Sequence, residues 1–231
     1  MAARVLYDLA GADPAVRFSP YCWRVRLALA HKGLEVETRP WRFMERDALA
    51  PSGQSKVPVL VEGDVWLADS LAIARHLEEA YPDRPALFPR AGGLGEARLV
   101  VAYADTVLNP ALAPLYVADI HAMLDEGDKA YFRESREARF GTSLEALAAA
   151  RAGRVEAARK ALLPLRHTLR DQPFLAGEVP AYADYAVFGA FMWTRAVSTF
   201  DILEEGDAVF AWRERMLDLF DGLARRAPRA V

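Results

Sequence analysis

The apolar period of this chain changes once, at Tyr81-Pro82-Asp83-Arg84-Pro85, and a fold must accommodate that change. Before it, short apolar alternations and helical stretches succeed one another. After it, only the helical period is left. Two prolines, then Pro89, Gly92, Gly93 and Gly95, make the intervening residues 83–95 read as a linker.

On the N-terminal side, Arg4-Val5-Leu6-Tyr7-Asp8-Leu9 reads as a strand. Pro20 to Lys32 reads as a helix, with Trp23, Leu27 and Ala30 at helical spacing and Gly33 ending it. A second strand is expected over Glu35–Arg39. A hairpin is expected from Val57-Pro58-Val59-Leu60-Val61 and Val65-Trp66-Leu67-Ala68 around Gly63-Asp64. A helix over Ser70–Tyr81, halted by Pro82, closes this β-α-β-irregular-β-β-α half. The C-terminal half predicts helices over Glu96–Leu124, bent at Pro110 or Pro114, and over Leu144–Leu169, Ala183–Thr199 and Ala208–Ala224.

With 231 residues and 53% hydrophobic content, the chain can bury one large core or two modest ones. Its 29 basic and 32 acidic residues are interspersed, so no block attracts nucleic acid or lipid headgroups. Neither a signal-peptide pattern nor an uninterrupted apolar stretch of about 20 residues is read, and the expected location is the cytoplasm. Cys22 is the single cysteine, and His31, His76, His121 and His167 are scattered. Neither an intrachain disulfide nor a metal site is therefore expected.

Three short features sit at element ends. Ser19-Pro20 places a hydroxyl at a helix N-cap and proline at the first helical position. By itself that is an ordinary helix start. The same terminus, with unpaired N–H groups and partial positive charge, also suits an anion such as a thiolate. Ser19 has no histidine nearby in sequence to make it a nucleophile, but its O–H can donate to a bound thiolate and lower the thiol pKa. Val57-Pro58 fits an edge strand, or a cis bond that leaves the backbone of Val57 open to an extended peptide-like ligand. Asp69-Ser70 fits a routine cap, or a receptor for the ammonium and carboxylate of an α-amino-acid head group.

In one order and at compatible distances, these segments resemble the cytosolic glutathione transferase superfamily. The resemblance is carried by Ser19-Pro20-Tyr21-Cys22-Trp23-Arg24-Val25-Arg26-Leu27, Lys56-Val57-Pro58-Val59-Leu60, Asp69-Ser70-Leu71-Ala72-Ile73, Tyr81-Pro82-Asp83-Arg84-Pro85 and Leu87-Phe88-Pro89. It implies a two-domain α+β fold. A thioredoxin-like domain over residues 1–82 binds glutathione, and an all-helical domain over residues 96–231 shapes the electrophile pocket. It further implies Ser19 for the thiolate, Lys56 near the glycine end, Val57 for the cysteinyl backbone, a cis Pro58, and Asp69 with Ser70 for the γ-glutamyl group. Tyr103, Asn109, Tyr116, Phe191 and Trp193 are available for the pocket, although each also fits core packing.

Glutathione is the implied co-substrate, a small hydrophobic electrophile the implied partner, and a homodimer the implied assembly. Trp23-Arg24-Val25-Arg26 is similar to the zeta class, which isomerises maleylacetoacetate, but that class's Ser-Ser-Cys is absent. Phe18 to Arg24, with Tyr131 to Glu137 and Arg139-Phe140-Gly141, looks more like the bacterial β-aryl-etherase type and its fungal relatives. A non-enzymatic ligand carrier of the same fold is the remaining alternative. One departure is Ala181, where the family usually carries Ser or Thr before Ala-Asp. Loss of that hydroxyl cap costs about 1 kcal/mol.

Overall fold

The computed structural model describes residues 4–231; the first three residues of the expected 1–82 domain lie outside the described residues. Four strands, β1 (Arg4–Leu9), β2 (Glu37–Trp41), β3 (Val59–Glu62) and β4 (Val65–Ala68), form one mixed sheet in the order β2-β1-β3-β4. β1 is parallel to β2 and antiparallel to β3, and β3 is antiparallel to β4. Helices α1 (Pro20–His31) and α2 (Ser70–Ala80) belong to this half.

β1, β4 and the hairpin turn fall where the alternation places them, with Gly63 at φ +60°. β2 lies two residues later than expected and includes Pro40, tolerated because β2 is an edge strand with no ladder on its outer side. β3 starts at Val59 rather than Val57, after a cis Val57-Pro58 bond. The stretch between β2 and β3 holds a 3₁₀ segment, Arg46–Ser52.

The helical half comprises α3 (Gly93–Tyr103), α4 (Asn109–Met123), α5 (Glu126–Phe140), α6 (Leu144–Ala149), α7 (Arg151–Ala161), α8 (Leu163–Leu169), α9 (Tyr182–Val197) and α10 (Ala208–Gly222). α3 and α4 are one run joined by a π segment, Ala104–Leu108, in which Asn109 N–H donates to Ala104 C=O. Pro110 supplies no N–H to the carbonyl four residues back, and the π turn absorbs that loss just ahead of the proline. By length and apolar composition alone, Gly93–Met123 meets the criterion for crossing a bilayer. Here it packs on α6, α7 and α9 as a core helix.

The expected single helix over 144–169 is three, with breaks at Ala150 and Leu162, and Pro164 sits in the first turn of α8. α5 occupies residues to which the apolar period assigns no element. Ala181 has no cap side chain, yet its own N–H donates to Asp184 Oδ2 at 3.1 Å. Ala181→Ser is expected to stabilise the fold by about 1 kcal/mol, read as a higher melting temperature.

α1 lies directly against α9. Arg24 on α1 is fully buried, donating from Nε to Ala186 C=O at 3.0 Å and pairing with Asp105 at 2.6 Å. The helices approach so closely at Gly189 that a Cβ there would meet Pro20 O at 2.2 Å. Gly189→Ala is therefore expected to destabilise the protein by about 1–3 kcal/mol, measured by thermal melting.

Candidate active site

The strand register brings three chain segments to one end of the sheet. Val59 pairs with both Tyr7 and Ala68. Val57 and Pro58 accordingly lie beyond that pair at the C-terminal end of β1, and Asp69 follows Ala68 at the same end. The loop leaving β1 returns there to start α1 at Ser19. Ser19, Lys56, Val57, Pro58, Asp69 and Ser70 are thereby gathered at one sheet end by backbone topology.

Ser19 is the N-cap of α1 and is 3% exposed. Its Oγ accepts from Cys22 N–H at 3.2 Å and donates to no acceptor among the described residues. A hydroxyl has one proton to give, and within the protein the buried Cys22 sulfur is the group beside Ser19 that can take it, so a ligand atom at this terminus competes with Cys22 for the proton. Pro20 contributes no N–H, and the Tyr21 N–H has no backbone acceptor among the described residues. This end of α1 thus presents an O–H, an N–H and the positive end of the helix dipole to an anion.

Asp69 caps α2 from a left-handed backbone, φ +69°, a conformation costly for a side-chain-bearing residue. Its Oδ1 accepts from Leu71 N–H at 3.0 Å and Ala72 N–H at 2.9 Å, while its other oxygen has no protein partner among the described residues. An exposed carboxylate held this way can receive an ammonium. Ser70 is buried behind it. Val57 is half-buried, and its backbone N–H and C=O find no backbone partner among the described residues. Lys56 is exposed and makes no ion pair among the described residues.

Beneath the first turn of α1 lie two groups that add no exposed nucleophile. Cys22 is fully buried, its thiol donating to Tyr7 C=O at 3.8 Å, and burial pushes its pKa well up. Asp8, also fully buried, is pushed up by burial against the opposing charge of Arg26 at 3.6 Å. Among the described residues, no three His, Cys, Asp or Glu side chains form a metal-binding group.

The residues considered for the electrophile pocket are dispersed. Asn109 is buried near Asp105, with Nδ2 at 3.4 Å from its Oδ1, and it also neighbours Tyr21. Tyr103 donates to Ala161 C=O on α7. Tyr116 is a core residue, donating to Phe200 C=O at 3.2 Å. Phe191 packs edge-on to Trp212 in the core, and Trp193 is half-buried on α9. A separate cavity of about 500 Å³, lined in part by Asp119, Arg151, Phe200 and Val231, shares no residue with the sheet-end site.

Three neighbours of the site have contacts that sequence reasoning does not give. Tyr182, at the start of α9, is completely buried beside Ser70, and its phenol lacks a hydrogen-bond partner. Arg24 ties α1 to the helical half. Asp128 on α5 accepts from Phe43 N–H at 2.9 Å and Met44 N–H at 3.0 Å. Only packing between distant segments gives these residues their partners.

A helix terminus offering donors to an anion, an open backbone segment and a carboxylate-capped α2 meet at one sheet end of a thioredoxin-like half joined to a helical half. Two family models match: the glutathione S-transferase N-terminal domain over residues 14–85 and the C-terminal domain over residues 97–219. The chain belongs to the glutathione S-transferase family.

It is similar to glutathione S-transferase 1 of Dianthus caryophyllus, 43% identical over 74 residues, 30% of this chain and 34% of that protein. It therefore spans about a third of that relative's length. Glutathione S-transferase U28 of Arabidopsis thaliana is 23% identical over 87% of this chain and 81% of its own. A solved glutathione S-transferase of Ceriporiopsis subvermispora, in complex with glutathione, shares the fold with a TM-score of 0.80 and 24% identity, covering 95% of this chain and 96% of that one.

Proposed function

We propose that this chain is a glutathione transferase that activates the thiol of glutathione for attack on a hydrophobic aromatic electrophile. The observation that carries this reading is the Ser19 hydroxyl at the α1 N-terminus, brought to the same end of the sheet as open Val57 and Asp69. Ser19 donates to the sulfur, and the helix end favours its negative form. Val57 pairs with the cysteinyl backbone. Asp69 receives the γ-glutamyl ammonium, Ser70 and the α2 N-terminus receive its carboxylate, and Lys56 faces the glycine carboxylate.

The sulfur lone pair then forms the bond to carbon while the leaving group departs with its electron pair. The leaving group is a halide in conjugation or a phenolate in β-aryl ether cleavage. Residues 1–82 bind glutathione in this reading, and residues 96–231 shape the acceptor pocket. The assembly is a homodimer using α2 and α3, on which Leu99 is 73% exposed.

An isomerase reading is supported by relatives named as zeta class, among them one of Euphorbia esula, 39% identical over 70 residues. Capture on immobilised glutathione and turnover of 1-chloro-2,4-dinitrobenzene test the transferase reading. Binding without turnover favours a carrier. Product from maleylacetoacetate, without turnover of aryl electrophiles, favours the isomerase.

A further inference from the structure

α5 is tied to the segment that follows β2. Its first turn is tied down by Asp128, which binds the backbone of Phe43 and Met44, and by Asp125, which pairs with Arg42 at 2.9 Å. Phe43 in turn packs on Phe18, the residue before Ser19, with ring centroids 6.5 Å apart. At the other end of α5, Arg139 lies within charge range of the phenol of Tyr21, two residues after Ser19, which burial pushes up. Arg136 lies one helical turn before Arg139 on the same side of α5.

The Arg136 guanidinium is half-buried between aromatic rings, 4.5 Å from the centroid of Phe132 and 5.7 Å from that of Phe43. Its single hydrogen bond goes to Ser135 Oγ, leaving most of its five donors unused. Most of the other covered arginines differ, Arg17 and Arg195 excepted. Arg4, Arg24, Arg26, Arg151, Arg166 and Arg213 are each well covered, and each faces a carboxylate. Arg136 has none among the described residues. Burial without a counter-charge is unfavourable and pulls its pKa down. Arg46, over the ring of Tyr131 at 5.5 Å, and Arg139 add two more guanidinium groups without an ion pair among the described residues.

We infer that the acceptor this site takes carries a carboxylate beside its aromatic ring, with the ring against Phe43 and Tyr131 and the carboxylate received by Arg136. A planar fork of donors matches a carboxylate, and aromatic walls strengthen the pair by excluding water. This inference rests on the transferase reading above. In the test reaction the thiolate sulfur forms the bond to the chlorine-bearing ring carbon. The chloride leaves with the bonding pair, and the thiol proton has already passed to solvent.

The test compares 4-chloro-3,5-dinitrobenzoate with its neutral methyl ester, each rate divided by its uncatalysed rate. Wild type is expected to favour the acid by about tenfold or more in kcat/KM, the size of one charge-assisted hydrogen-bonded pair. Arg136→Gln should remove most of that preference through KM for the acid, and Arg136→Lys should retain part of it. Should Arg136→Gln fold poorly by circular dichroism, competition in wild type serves: unreactive 3,5-dinitrobenzoate should inhibit more strongly than its methyl ester. Equal handling of acid and ester by wild type, or an equal loss for both in Arg136→Gln, overturns the inference and leaves the transferase standing. A rise in KM for glutathione instead would assign Arg136 to the glycine carboxylate and also overturn it. Conjugation of neither compound removes the transferase reading and this inference together.

Discussion

Ser19→Ala is expected to lower turnover at neutral pH by about 10²-fold, the usual cost of losing one donor aimed at a developing or stabilised anion. The sign follows from which form the hydroxyl serves. Ser19 donates its proton to the thiolate and offers less to the thiol, so it lowers the sulfur pKa. Removing it raises that pKa, and the reactive fraction at neutral pH falls. The deficit should shrink as pH rises, because solution alkalinity then supplies the thiolate that the hydroxyl no longer secures. A rate–pH profile of wild type and variant checks this, the variant's limb being displaced to higher pH. The helix survives the change: Cys22 N–H loses its cap acceptor, an effect of about 1 kcal/mol, and α1 remains held by Arg24.

Asp184→Ala carries the largest expected loss of stability. The carboxylate is completely buried and accepts four hydrogen bonds: from Leu175 N–H at 2.7 Å, Ala176 N–H at 3.2 Å, Ala181 N–H at 3.1 Å and the Trp212 indole at 2.9 Å. Burial pushes its pKa up, and these four donors oppose that rise. Alanine would leave four buried donors unpaired across the loop before α9, its first turn and α10. The expected cost is about 3–5 kcal/mol, a fall in melting temperature of roughly 10 °C or more. Glutathione affinity should fall with it, since Tyr182, two residues away, packs behind Ser70. A melting curve close to wild type would show that other acceptors can serve these donors.

What the sequence made legible was local chemistry. The hairpin around Gly63-Asp64 and the caps Ser19 and Asp69 are written in adjacent residues, and the structure places them as read. The two-domain α+β fold was legible from the single change of period near Pro82. β2 was misplaced by two residues because an edge strand tolerates Pro40, which reads as a breaker. α5 was missed because its sequence is mostly charged. Its helix is anchored by Asp125, Asp128 and a few aromatics rather than by an apolar stripe. The break of 144–169 into α6, α7 and α8 leaves no pattern beyond Pro164.

The residues considered for the acceptor pocket carry the least local signal. Tyr116 and Phe191 have the composition of a lining and the surroundings of a core. Residues that cap an element declare themselves by sequence position. Residues that line a space between elements do not.

The central claim is that the α1 terminus with Ser19 stabilises a thiolate. The most direct measurement is ultraviolet titration of the thiolate in the complex of the protein with glutathione alone, which needs no electrophile. The account predicts a midpoint about one unit or more below that of free glutathione, moved back toward the free value in Ser19→Ala. A wild-type midpoint equal to that of free glutathione, with glutathione demonstrably bound, would contradict it.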